Sequence, residues 1–297
     1  MRILQIVPSI ALVYGGPSQM VRGLSAWQAL AGAQVTILTT NLNGDRGEAP
    51  LDVPVDHGVQ EEGYEVHYFS CIPIHRYKVS LQLLIWLLRH GKEYDIAHIH
   101  ALFSPISTLA AIICRCIGLP YWLRPLGTLD PMDLKKKRFL KGIYGWLFER
   151  GNIAGAAALH FTSEEEARVS KRFGTKTPAV VIPVGVKLPD NRPTRSSHIF
   201  RSPSPSPQAS APEFNAPAGL PDTTEEGSRS IPLLLYMSRI APKKGLNLLL
   251  PALESLASEG VPFRFILAGS NPQDTVYEQT IDGVILQSPW LRDRAQI

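Results

Sequence analysis

Residues 94–124 read YDIAHIHALFSPISTLAAIICRCIGLPYWLR, and this stretch decides the fold. It opens on a short apolar run at 96–99, continues through a longer stretch at 105–117 that suits a helix, and returns to an apolar run at 121–123. Strand, helix and strand within about thirty residues make a parallel crossover unit. The alternation extends outward on both sides. Apolar runs at 3–7, 35–39 and 66–69 precede it, and runs at 157–161 and 179–182 follow. Helical stretches at 18–30, 81–89, 135–150 and 163–172 lie between most of them. Strands apolar on both faces and separated by helices imply a parallel sheet covered on both sides. Residues 1–188 are therefore expected to form one doubly wound α/β domain.

Beyond it the composition changes. Residues 189–230 hold eight prolines and eight serines, with Ser-Pro-Ser-Pro-Ser-Pro at 202–207. So few large apolar residues cannot offset ordering entropy, and a disordered linker is expected. The pattern then restarts with a strand at 232–237, a helix marked by Leu246, Leu249, Leu250, Leu253 and Leu256, and a strand at 263–268. Pro251 fits that helix best in its first turn, where a missing N–H costs little. The pattern weakens after about Ile281. Residues 231–297 are too few for a domain of this kind, so the second half is expected to be an incomplete Rossmann-like domain, with 281–297 resembling nothing anticipated.

The whole chain has 297 residues, 44% of them hydrophobic and 19% charged, which suits about two soluble domains. A net charge of +4 is small for this length and does not argue for a nucleic-acid partner. Cys71, Cys114 and Cys116 are an odd number without metal-ligand spacing, consistent with free thiols in a reducing compartment. Pro8 breaks the first apolar run, so a buried strand explains it better than a signal peptide. The apolar stretches at 83–88 and 103–117 are too short or too polar to span a bilayer. The expected location is the cytoplasm, with a peripheral contact at the inner face of the membrane.

Three segments could carry chemistry. Gly15 and Gly16 follow the first strand, where glycines let the backbone approach a ligand and the next helix offers N–H groups to an anion. A tight structural turn explains them equally well, and no G-x-G-x-x-G accompanies them, which disfavours a dinucleotide-dependent oxidoreductase. His98 and His100 share a strand face at the carboxyl end of the sheet, where ligands bind in open α/β sheets. A structural pair is about as good an account, and no third metal ligand is visible. Arg239 and Lys244 flank a loop between a strand and a helix. Both can reach one diphosphate near the helix N-terminus, and such a pair can neutralise a leaving diphosphate without a metal. No Asp-x-Asp of the metal-holding kind occurs.

Together these segments resemble the large family of retaining GT-B glycosyltransferases numbered four. The resemblance is carried by Gly15-Gly16-Pro17-Ser18, residues 95–100, Thr162-Ser163-Glu164-Glu165, Val181-Ile182-Pro183-Val184-Gly185-Val186 and residues 238–245. It implies two Rossmann-like domains, with an acceptor mainly on the first and a nucleotide-sugar on the second. It assigns Gly15, Gly16, Arg239, Lys244 and Gly269 to the donor, and His100 to the catalytic position beside the transferred sugar. The loop 124–130 lies where an acceptor binds, which nominates Arg124 and Thr128. The implied reaction moves a sugar from a nucleotide diphosphate to a hydroxyl of a polysaccharide or lipid-linked glycan, with retention and without a metal cofactor.

The departures lie at the hinge and in the second half. Val184 and Lys187 stand where the family usually has Asn and Asp. The two glutamates that orient the donor sugar and ribose have no equivalent after Gly269, and Glu278 lacks their context. The chain is therefore read either as a transferase whose donor half stops early or as a non-catalytic remnant keeping an acceptor- or partner-binding domain. Finally, Lys135-Lys136-Lys137-Arg138 precedes Phe139, Leu140, Ile143, Tyr144, Trp146, Leu147 and Phe148. A cationic start and an aromatic continuation suit anionic lipid, while a core-facing helix with a solvated first turn is the plainer account.

Overall fold

A computed structural model describes residues 1–44, 48–74, 77–131, 134, 138–186, 231–272 and 274–296. The chain divides into two compact units, Met1–Leu188 and Pro189–Ile297. The Pro/Ser-rich linker expected at 189–230 lies outside the described residues, as do Lys135, Lys136, Lys137 and Lys187.

The first unit is built on β1 (Arg2–Ser9), β2 (Gln34–Thr40), β3 (Val59–Gln60) and β4 (Glu65–Phe69), then a separate antiparallel pair, β5 (Ile72–Ile74) and β6 (Tyr77–Val79). It continues with β7 (Ile96–His100), β8 (Tyr121–Arg124), β9 (Ala158–Phe161) and β10 (Ala179–Val181). The main sheet runs β10-β9-β8-β7-β1-β2-β4-β3. Every pairing is parallel except β3 with β4. The chain steps outward from β1 through β2 to β4, returns to β7, and then steps the opposite way. That reversal leaves a crevice at the carboxyl ends of β1 and β7, where ligands bind in such sheets.

The helices are α1 (Gly16–Leu30), α2 (Leu81–His90), α3 (Pro105–Ile117), α4 (Arg138–Tyr144), α5 (Arg150–Gly155) and α6 (Glu164–Val169), with a π-helical turn at Gly145–Glu149 joining α4 to α5. Alternation along the strands sorts side chains into two cores. Leu4, Ile6, Ala97, Ile99 and Leu123 pack with Leu83, Leu87, Ile106 and Ala110 of α2 and α3. Ile3, Val7, Val35 and Ile37 pack on the other side with Val21 of α1. Local signals fix the helix ends. Ser80 and Ser163 cap α2 and α6 by accepting from the backbone N–H of Leu83 and Glu166, and Gly118, left-handed at φ 74°, ends α3. Cys114 is buried and Cys116 exposed, as opposite helix faces require.

The second unit comprises β11 (Leu233–Met237), α7 (Leu246–Ser258), β12 (Arg264–Ala268), α8 (Thr275–Gln287) and β13 (Ala295–Gln296), its strands all parallel. Leu250, Leu253, Phe265, Leu267, Ile281 and Ile285 form its core. On the opposite sheet face Leu235 and Met237 stay exposed.

Two differences from the sequence reading arise here. Residues beyond Ile281 continue a helix to Gln287 and then add β13 parallel to β12. Only Ile281 and Ile285 of α8 are buried, so its apolar stripe is too thin to read from the sequence. Pro251 also lies in the middle of α7 rather than in its first turn. The bond its N–H would have donated to the Asn247 carbonyl is lost, and packing through Leu250 and Leu253 holds the helix.

Candidate active site

At the end of β1 the chain makes a 3-10 turn at Leu12–Tyr14 and enters α1 through Gly15. Gly15 has φ 69° and ψ −127°, a combination essentially closed to residues with a Cβ. Ser18 Oγ donates to the Ala11 carbonyl at 2.7 Å and closes the turn. No side chain caps α1, and a Cβ on Gly16 would meet nothing within 4 Å. The first turn of α1 thus presents backbone N–H groups and open space.

Beside it, β7 delivers His98 and His100. His100 is fully buried, with Nε2 at 2.7 Å from Gln5 Oε1 on β1. Gln5 Nε2 donates to Gln28 Oε1, which turns the Gln5 carbonyl toward the imidazole and assigns the proton to Nε2. His100 Nδ1 is then a lone-pair acceptor, buried with no partner among the described residues. Burial first, then His98, Arg124 and His160, hold the His100 pKa well below its ordinary value, so the ring is neutral. His98 falls to about 3, again chiefly through burial, with His160 and Arg124 adding to it. His160 on β9 completes the row. Its Nε2 lies 3.1 Å from the Ile182 carbonyl, and its Nδ1 lies 3.2 Å from His98 Nε2.

Arg124, at the end of β8, is 3% exposed on the same side. Its Nη1 lies 2.6 Å from Met20 Sδ of α1, and its Nε has no partner. Among the described residues no carboxylate pairs with this guanidinium. The loops leaving β7 and β8 hold uncommon backbone: Ala101, Phe103 and Leu126 have φ of 66°, 59° and 55°. Strain of this kind gathers at functional sites. Thr128 is engaged locally, its hydroxyl donating to the Pro125 carbonyl at 2.7 Å. Glu166 ties the loop down, accepting from Gly127 N–H at 3.1 Å and from both the N–H and hydroxyl of Thr162 at 2.8 Å. A cavity of about 320 Å³ opens between this loop and α6, lined by Pro125, Gly127, Asp130, Phe161, Glu165 and Glu166 among others.

In the second unit, Arg239, Lys244 and Gly269 gather at the carboxyl ends of β11 and β12. Ile240, fully buried, anchors the loop, leaving Arg239 half-buried and Lys244 exposed. Left-handed Gly245 begins α7 without a side-chain cap. Asn271, 4% exposed, donates from Nδ2 to the Ile240 carbonyl at 2.7 Å, and its N–H donates to Glu278 at 2.9 Å. Gly269 has φ 150°, and a Cβ there would stand 2.0 Å from the Ser238 carbonyl oxygen. Close backbone packing therefore demands glycine at 269.

Each unit thus collects its own sequence-predicted residues. The sequence reading did not single out Gln5, His160, Glu166 and Asn271. A capping signal three residues after Ser163 marks Glu166; the others lie in apolar or loop segments and carry no local signal. Among the described residues no group of three or more His, Cys, Asp or Glu side chains is arranged to hold a metal ion. Nor is any described helix long and apolar enough to cross a membrane.

A family model described as a glycosyl transferase 4-like domain matches residues 15–185, from the Gly15 turn to the segment after β10. No curated protein sequence matches. Among solved structures, sucrose-phosphate synthase from Thermosynechococcus elongatus is similar at 17% identity and a TM-score of 0.59, covering 100% of this chain and 69% of that one. An Anabaena protein in complex with UDP and glucose gives 15% and 0.57, covering 100% and 68%. The catalytic domain of Arabidopsis thaliana starch synthase IV, bound to ADP and acarbose, gives 16% and 0.56, covering 100% and 73%. At these identities the likeness is one of fold.

Proposed function

We propose, on the premise that this chain belongs to the glycosyl transferase 4-like family and has a GT-B type α/β fold, that it transfers a sugar from a nucleotide diphosphate to an acceptor hydroxyl with retention. The observation that carries this reading is the convergence at the β1–β7 switch point. There an uncapped helix N-terminus stands beside a neutral imidazole whose Nδ1 has no partner among the described residues. A sugar hydroxyl donating to His100 Nδ1 satisfies that buried acceptor. In the second unit, Arg239 and Lys244 meet the diphosphate at the uncapped start of α7, where helix N–H groups add to their charge.

In the reaction, the bond from the anomeric carbon to the diphosphate oxygen breaks ahead of attack. The acceptor oxygen bonds to that carbon on the same face, and the departing diphosphate oxygen takes the acceptor proton. Arg239 and Lys244 stabilise the charge that develops on the leaving group, without a metal ion. Arg124 and the loop held by Glu166 face the acceptor, a polysaccharide or lipid-linked glycan, and the protein works in the cytoplasm at the inner face of the membrane. The neighbours solved with UDP and glucose or with ADP and acarbose lend support by analogy of fold.

The test incubates the chain with a panel of UDP, GDP and ADP sugars and follows nucleotide release and sugar transfer. Arg239→Ala and Lys244→Ala are each expected to lose about a hundredfold in kcat/KM. Activity indifferent to both substitutions would sink the assignment of the donor clamp. Retained acceptor binding with no donor binding in calorimetry favours instead a non-catalytic acceptor-binding protein.

A further inference from the structure

Helices α2, α3 and α4–α5 form one layer on the sheet: α2 packs on α3, and α3 on α5. Their inward residues belong to the core, yet the solvent side is also apolar. Phe139, Ile143, Trp146, Leu147 and Phe148 are exposed along α4 and the π turn, the first and third by 81% and 64%. Leu81, Ile85 and Leu88 of α2 and Leu109 of α3 are exposed as well. Spacing accounts for the stripes. Leu81, Ile85 and Leu88 fall at helical intervals, as do Phe139, Ile143 and Trp146, and the π turn widens the second stripe so that three consecutive apolar residues face outward. A core-facing helix does not leave its aromatic residues outside.

The charge of this layer is one-sided. Across 81–90, 105–117 and 138–155 the sequence contains one carboxylate, Glu149. It is fully buried. Arg89, Arg115 and Arg150 are exposed, and none pairs with a carboxylate among the described residues. Three further lysines stand just before α4 in the sequence. We propose that this helical layer docks on an anionic lipid bilayer, with Phe139, Ile143, Trp146 and Leu147 inserted at the headgroup boundary and the arginines on lipid phosphates.

Apolar side chains flanked by cations match the chemistry of such a surface. A second copy of the chain fits less well, because a two-fold contact through this face would set the same arginines against each other. The N-termini of α3 and α4 follow the carboxyl ends of β7 and β8, so Phe139 stands at the same end of the unit as the loop 125–130. A glycan carried on a membrane lipid would be presented to that end. Docking does not depend on the transfer reaction, and its test reads no activity.

The full chain is floated with vesicles of phosphatidylcholine alone and of phosphatidylcholine mixed with phosphatidylglycerol. Binding is expected only to the anionic vesicles and should weaken as salt rises. Phe139→Gln with Trp146→Gln should weaken it by about tenfold or more, and Arg89→Gln or Arg150→Gln by roughly fivefold each. These side chains are exposed, so circular dichroism should show the variants folded. Brominated lipid should quench part of the tryptophan emission, and Trp146→Phe should remove that part while vesicle binding persists. Three results would each overturn the proposal: no binding to anionic vesicles, binding unchanged by the Phe139–Trp146 double substitution, or a soluble dimer that the double substitution dissociates.

Discussion

Glu149 offers the sharpest test of the buried chemistry beneath the β7 loop. Its Oε1 accepts from Phe103 N–H at 2.9 Å and from the Thr108 hydroxyl at 2.7 Å. Its Oε2 and the neighbouring Asn152 Oδ1 are both buried acceptors without a donor. Asn152 Nδ2 donates one of its two hydrogens to the Thr108 carbonyl at 3.1 Å, and the Asn152 side chain stands beside the Glu149 carboxyl, where it favours the charged form. Burial pushes the Glu149 carboxyl above its ordinary value, against the hydrogen bonds from Thr108, Phe103 and Asn152. The folded state therefore keeps a proton that the unfolded chain has released. The stability this proton contributes is complete below the ordinary carboxylate range and is lost as pH rises through the raised value. The slope cannot exceed about 1.4 kcal/mol per pH unit for one proton. Glu149→Gln keeps the acceptor for Phe103 and Thr108 and does not titrate. Its stability relative to wild type should therefore climb with pH across that window and then level off. Glu149→Ala leaves the Phe103 N–H and the Thr108 hydroxyl without their acceptor and should cost about 2–4 kcal/mol below that window and less above it. Urea unfolding in a Trp290→Phe background makes tryptophan emission report the first unit alone, and the difference between Gln and wild type can be followed from about pH 4 to 8. His98, His100 and His160 titrate in both proteins and cancel in the difference. A Gln-minus-wild-type difference that stays flat with pH would refute the reasoning, since it would mean a native carboxylate no more protonated than the unfolded one.

Gly269→Ala should destabilise the second unit by at least about 3 kcal/mol, from a forced left-handed φ and a Cβ driven into the Ser238 carbonyl. Trp290 emission in urea measures it, while the first unit's midpoint should not move. His100→Ala should lower kcat/KM by about ten- to hundredfold. The wild-type rate should show no His100 titration in the ordinary imidazole range, because burial holds its pKa well below that range; a rate that collapses there in wild type but not in the variant would contradict that neutrality.

The main sheet was legible because its strands are covered on both faces, so residues such as Leu4, Ile6, Ile99 and Leu123 read as unbroken apolar runs. The short strands β3, β5 and β6 were not, since two or three residues carry no period. Within α8, burial of only Ile281 and Ile285 hides the helix from pattern reading. The histidine pair on β7 was visible by alternation alone. What orients it was not: Gln5 lies 95 residues from His100, and His160 lies 62 from His98. Those partners become neighbours only through strand order, which no local spacing encodes.

Resemblance and packing weigh the nominated residues differently. Gly269 and Gly15 have conformational reasons to be glycine that hold with no ligand present, so their presence says little about the donor. Thr128 closes its own turn. His100 and Arg124 stand apart from these. Among the described residues the imidazole acceptor has no donor, and the guanidinium is buried against a thioether with Glu166 near but not in contact. Burying unpaired polar and charged groups costs free energy that a ligand can return on binding. His100 and Arg124 are therefore the nominated residues that packing alone explains least.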